Sequence, residues 1–283
     1  MSHLPFTILA YFLNSVSVTT NKLLLNKAIP DPFLYIFYVS VFSLIILPAI
    51  IFIPTPTPQA FLAVSLSTIL WTMGAYFMYR ALKLGQMSRV IPVIGTLISL
   101  ILLFAAVKTV TISQTQTLAV TILIFGMIAI TVFDWTGKFK RLEAVFEVIS
   151  AVFFAISYIF LRQAYTLGNF LTILVWGRVV LVPLVLYIFL APILRKRIIG
   201  NQFNIRLIFF GGQLAGGASE LLLTFSISLA NPALVNSLQG VQYVFLLIFG
   251  KPLGEKYSKL QLLSKILGII LIGTGLYLLA AAG

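Results

Sequence analysis

Glu220 is the residue from which chemistry can be argued most directly. It stands in Leu207–Leu229, LIFFGGQLAGGASELLLTFSISL, a segment long enough to cross a bilayer. Of the six acidic residues in the chain, it is the one read as lying deep inside an apolar stretch. A carboxyl placed there loses its hydration, so it must be matched by a cation or put to use. Put to use, it would bind and release a proton. Matched, its candidate partner is Arg178, about nine residues into another apolar segment and too deep to reach the interface easily. Arg178 in turn needs an anion: Glu220, a cluster of carbonyls, or the carboxylate of a bound molecule.

Polar and aromatic residues recur at helical spacing around this pair. Asn14, Ser17 and Asn21 fall three and four apart, on one helix face. Trp71, Ala75, Tyr76 and Tyr79 form a second stripe. Gln213, Gly216 and Gly217 lead into Glu220, and Asn236, Gln239 and Gln242 line up with Tyr243 beside them. Any one of these amides is read first as a bond between helices. Four stripes together are better explained by a cavity with hydrogen-bonding walls and aromatic plates. The candidate binding residues are therefore Asn14, Trp71, Tyr76, Tyr79, Arg178, Gln213, Gln239 and Tyr243, with Glu220 as the proton-coupling group.

Other residues receive plainer readings. Lys22, Arg80 and Arg162 stand nearer helix ends and are expected to snorkel to lipid headgroups. Glu255 is expected to be a helix-end acid. Gly211, Gly212, Gly216 and Gly217 form a small-xxx-small pattern, and Gly268, Gly273 and Gly275 supply small positions in the last helix. Such residues allow close helix contact, within the chain or in a homodimer.

Composition excludes much. There are no cysteines, which removes disulfides and thiolate metal sites. The single histidine is His3, so neither a His-based zinc site nor a Ser-His-Asp triad can be built. No acidic pair is expected within the membrane, which argues against an aspartyl dyad. No cofactor and no metal are expected. The net charge of +13 would suggest nucleic acid in a soluble protein. Here the cations sit between apolar segments and read as topology signals and contacts to anionic lipid, not as a nucleic-acid surface.

The elements that must position these residues follow from hydropathy. With 60% hydrophobic and 9% charged residues, the chain reads as an all-α integral membrane protein rather than one or two soluble domains. About ten spans are expected, near 5–25, 32–53, 59–80, 88–107, 115–134, 143–165, 169–191, 206–229, 232–250 and 261–281. Pro30-Asp31-Pro32 and the prolines at 54, 56 and 58 punctuate the early spans. The longest polar break, Asp134 to Glu147, divides the chain into two repeats, 1–135 and 136–283. At a spacing of 145, Leu84 matches Leu229, Val90 matches Val235, Gln116 matches Gln261 and Leu118 matches Leu263. Lys22 and Arg162 end the first helix of each half. Five helices per repeat place the second copy in the opposite orientation, as an inverted repeat. Lysine and arginine concentrate in the odd-numbered loops, which the positive-inside rule assigns to the cytoplasm, with both termini outside.

The pattern resembles the EamA-like transporters of the drug/metabolite transporter superfamily. The most specific stretches are FSISLANPALVNSLQG at Phe225–Gly240, LLIFGKPLGEK at Leu246–Lys256 and LQLLSKILGIILIGTGLYLL at Leu260–Leu279. Gly254-Glu255 fits the family's Gly-Glu helix end, and the segments Ala151–Arg162 and around Arg178 are also similar. The first half departs, with Val107-Lys108 in place of Gly-Glu and no arginine in the second helix. The resemblance implies two five-helix repeats and export or exchange of metabolites, and it implies cytoplasmic termini, opposite to the charge count.

The expected function is a secondary transporter of small metabolites, with amino acids the leading candidate. It would work by alternating access in a bacterial or archaeal cytoplasmic membrane, with a proton coupled through Glu220. A lipid-linked substrate flippase is the alternative, and an intramembrane enzyme is the reading from another class. The expected partners are a small-molecule substrate and membrane lipids.

Overall fold

The computed structural model describes residues 3–27, 29, 31–109, 113–132, 141–192, 195–196, 206–254 and 257–281. Among these, all regular structure is helical. In chain order the α-helices are α1 Leu4–Lys27, α2 Pro32–Ser43, α3 Pro58–Leu84, α4 Met87–Thr109, α5 Gln114–Thr131 and α6 Arg141–Leu167. They continue as α7 Phe170–Val179, α8 Leu181–Leu190, α9 Arg206–Leu229, α10 Pro232–Ser237, α11 Gly240–Gly250 and α12 Lys259–Ala281. Among the described residues, eight helical stretches are long and apolar enough to cross a membrane, the build of an all-α integral membrane protein. Two of the ten expected spans fall outside that eight. The fifth is a shorter apolar helix, Gln114–Ile130. In the first, Leu4–Lys27, the polar run from Asn14 to Lys22 dilutes the hydropathy.

Helix starts follow their local sequence. Asp31, Thr57, Asn169 and Asn231 each accept a backbone N–H of the first turn, at 2.9, 3.2, 2.8 and 2.8 Å. Proline occupies the first position after three of these caps, where its missing N–H costs nothing. Ser113 with Gln116 and Ser258 with Gln261 form reciprocal capping boxes at the starts of α5 and α12.

Three expected spans are interrupted, and in two of them proline sets the position. The ring of a proline clashes with the carbonyl four residues before it. For Pro48 that residue is Leu44, where α2 gives way to a 3₁₀ stretch, Leu44–Phe52. For Pro183 it is Val179, the last residue of α7. A third interruption, at Leu238 and Gln239, separates α10 from α11.

The most extensive packing joins α3 to α6, α5 to α12 and α1 to α9. Each pair takes one helix from either side of the central break, so residues 1–135 and 136–283 interleave. Glycine permits one of these contacts. A Cβ on Gly268 would lie 2.6 Å from the Gly126 carbonyl oxygen, and one on Gly275 would lie 3.1 Å from that of Ala119. These two glycines are used within the chain, against α5. Gly273 has open space around it.

Lys22 and Arg162 do not reach for headgroups as expected. Lys22 Nζ donates to the carbonyls of Leu82 and Gly85, at 2.5 and 2.7 Å. Arg162 Nη1 donates to those of Ile227 and Ser228, at 2.9 and 2.5 Å. Each cation closes the C-terminal end of a neighbouring helix, α3 or α9, where carbonyls lack intrahelical partners and the dipole favours positive charge. Arg80 instead lays its guanidinium 4.3 Å from the centroid of the Phe146 ring.

Candidate functional site

Arg178 occupies the last turn of α7, next to the break at Val180. The negative end of a helix dipole favours a cation there. Glu220 faces it from the middle of α9. Arg178 Nη2 donates to Glu220 Oε1 at 3.3 Å, and the side chains retain 16% and 22% exposure. The pair is thus partly open, and what it opens onto is two cavities of different size.

The larger cavity measures about 400 Å³, within the usual range for a small-molecule site. It is lined by Asn14, Ser17 and Asn21 of α1, Ser40 and Ser43 of α2, Tyr79 of α3 and Gln213 of α9. The smaller, about 40 Å³, is lined by Ser67, Thr68, Tyr158, Tyr165 and Thr224. Trp71, Leu174, Arg178 and Glu220 line both. Along α3 the small cavity takes Val64 to Thr68 and the large one Met78 and Tyr79, with Trp71 between. Along α9 the large cavity takes residues between Gln213 and Leu221 and the small one Leu223 and Thr224, with Glu220 lining both. The ion pair and Trp71 therefore stand as a partition. The large cavity lies toward the end of the bundle that carries Lys22, Arg80 and Lys83.

One wall of the large cavity is fixed by a hydrogen-bond chain across three helices. Tyr35 of α2 donates to Asn21 Oδ1 of α1 at 2.5 Å and accepts from Gln213 Nε2 of α9 at 3.2 Å. Tyr35 is fully buried and stacks edge-on against Tyr79, with centroids 4.7 Å apart. Its helix reads as an unbroken apolar run, so nothing in the sequence singled it out.

Of the sequence candidates, Asn14, Trp71, Tyr79, Arg178, Gln213 and Glu220 meet around the large cavity. Tyr76, Gln239 and Tyr243 line neither of these two cavities. Tyr76 packs on Phe77 and under Arg80. Tyr243 is buried and donates to the Pro92 carbonyl at 3.3 Å, while Gln239 presses on Gly95. Their stripe seals α11 onto α4. Gln242 links that stripe to the cavity, accepting from Asn14 Nδ2 at 3.5 Å. Glu255 lies outside the described residues; Gly254 before it has φ +80°, a left-handed conformation that glycine adopts without strain.

The start of α6 departs from the sequence pattern. Glu143 and Glu147 close the polar break at Asp134 to Glu147, yet both are buried, at 3% and 2% exposure. An acidic pair therefore does sit within a membrane-length helix. The signal that would have found it is the four-residue spacing, which puts both carboxyls on one helix face. Arg89 of α4 donates to Glu143 Oε1 through Nε at 3.0 Å and through Nη2 at 2.5 Å. Among the described residues, no group of three or more acidic or histidine side chains could hold a metal.

No family model matches the chain, and no curated protein matches it. A solved structure described as "Crystal structure of protein" is similar to it over 99% of this chain and 98% of that one, with a TM-score of 0.66 and 13% identity. Likeness at that identity shows the fold alone.

Proposed function

We propose that this chain is a secondary transporter of small polar or amphipathic metabolites, working by alternating access. The observation that carries the reading is the pair of unequal cavities that meet at Arg178 and Glu220. A carrier caught with access to one side has an enlarged cavity there and a collapsed one opposite. The proline interruptions support it: the large cavity is lined beside both breaks, by Ser43 and Ile45 at one and by Arg178 and Leu181 at the other. Interrupted helices at matching places in two halves are a pointer to a transport site.

Two inverted five-helix halves are part of this proposal. Lys22 and Arg162 are 140 residues apart (162 − 22), and Leu82 and Ile227, the carbonyls they bind, are 145 apart (227 − 82). The capping boxes at Ser113 and Ser258 keep the same spacing of 145 (258 − 113). Exchanging the halves turns the α1–α9 contact into the α6–α3 contact and maps α1, α2, α3 and α9 around the large cavity onto α6, α7, α9 and α3 around the small one. We place the chain among the EamA-like transporters on this basis, in a bacterial or archaeal cytoplasmic membrane, with the basic end in the cytoplasm.

The leading substrate class is amino acids. Arg178 would take a carboxylate, Trp71 and Tyr79 would pack the side chain, and Glu220 would carry a proton. Counterflow in proteoliposomes loaded with a mixed amino-acid pool tests this. Labelled tracer should accumulate with wild-type protein and not in protein-free vesicles. No accumulation of any amino acid by correctly inserted protein would overturn the substrate class.

A further inference from the structure

Glu143 and Glu147 lie one turn apart on α6, almost fully buried, and neither lines a cavity that touches Glu220. Glu143 Oε1 takes both bonds from Arg89. Glu143 Oε2 and Glu147 Oε1 are buried with no hydrogen-bond partner among the described residues. Backbone crowds the same spot: a Cβ on Gly85, at the α3–α4 corner, would overlap Glu143 Oε1. Among the described residues, four further charged groups stand near it. Lys22 of α1 is held by the Gly85 carbonyl, at 2.7 Å. Arg80 of α3 lies over the Phe146 ring, Lys83 is exposed at the end of α3, and Arg141 is exposed in the first turn of α6.

We propose that Glu143, held against Arg89, and Glu147 one turn further along α6 form a second proton-binding site of this protein, at the basic end of α6 and independent of Glu220. Two buried carboxylates beside one bonded guanidinium leave an uncompensated negative charge in a medium that solvates it poorly. One proton on the pair removes that charge and adds an O–H donor for an orphaned oxygen. The proton goes to Glu147, since Glu143 takes both bonds from Arg89. Its exchange partner is water at the basic end, one turn of α6 away. Release of the proton sets two like charges against each other where α6 meets α4 and the α3–α4 corner. The site therefore couples pH on that side to the packing of those helices.

The test needs no transport assay, so it stands or falls apart from the proposed function. Infrared spectra of the reconstituted protein at neutral pH, taken as wild type minus Glu147→Gln, should show a protonated-carboxyl C=O band that shifts in deuterium oxide. Glu220→Gln minus the Glu147→Gln/Glu220→Gln double variant should show the same band. Thermal midpoints give a second readout. Glu147→Gln, which replaces a neutral acid by a neutral amide, should hold the wild-type midpoint, while Glu143→Gln, which strips Arg89 of its partner, should lower it by several degrees. Absence of the band from the first difference spectrum, or a midpoint for Glu147→Gln as low as that of Glu143→Gln, overturns the proposal.

Discussion

Arg178 and Glu220 touch across the partition between the two cavities, with Nη2 and Oε1 3.3 Å apart and both side chains still partly exposed. A pair sealed in the core would serve only to hold α7 to α9. This one can exchange partners, because either charge is reachable from a cavity without unpacking a helix.

Glu220→Gln keeps the shape of the carboxyl and its hydrogen-bonding reach but removes the titratable proton. We expect a transport rate that no longer varies with pH across the range where wild type does. Rates measured in proteoliposomes against an imposed pH gradient check this. A wild-type pH profile in the variant removes Glu220 from coupling.

Arg178→Ala removes a charge-assisted donor facing the large cavity. Such a bond is worth roughly 1.5–3 kcal/mol, so the apparent half-saturation for substrates bearing a carboxylate should rise about tenfold or more. Competition by carboxylate-free analogues should be unaffected. An unchanged half-saturation leaves Arg178 a purely structural partner of Glu220.

How much of this was legible beforehand varies with the physics behind each feature. Hydropathy and proline carry the long helices and their ends, since burial in lipid and a missing N–H act locally. The Arg178–Glu220 pairing was reachable because two charges stranded in apolar segments need one another. Tyr35 was not, because an aromatic in an apolar helix reads the same whether it packs or bonds. Glu143 and Glu147 were missed for the opposite reason: charge near a helix start reads as solvated, and only the approach of Gly85 and Arg89 buries it. The same holds for Gln239 and Tyr243, whose stripe is real but faces α4, because periodicity fixes a face without saying what that face meets.

Lys22→Met and Arg162→Met should each lower the thermal midpoint of the purified protein. Each leaves two carbonyls without a donor, a loss of about 1–3 kcal/mol where the group stays buried. The two clamps sit on different helix pairs, α1 with α3 and α6 with α9, so the losses should add in the double variant. A midpoint unmoved by either change would mean that water replaces the cation at no cost.

The glycines of α12 offer the sharpest packing test. Gly268 faces the backbone of α5 so closely that a Cβ would meet the Gly126 carbonyl oxygen and Ile130, and backbone cannot step aside as a side chain can. Gly273, about one and a half turns on, has nothing within 4 Å. Gly268→Leu should therefore force α5 and α12 apart, with loss of monodisperse protein on size-exclusion chromatography in detergent. Gly273→Leu should leave the monomer's folding and midpoint unchanged. Because Gly273 is the free small position on that helix, the same variant also tests self-association. A shift to smaller assemblies in Gly273→Leu alone would place a homodimer contact on α12, and an unchanged elution position would remove that helix from any dimer interface.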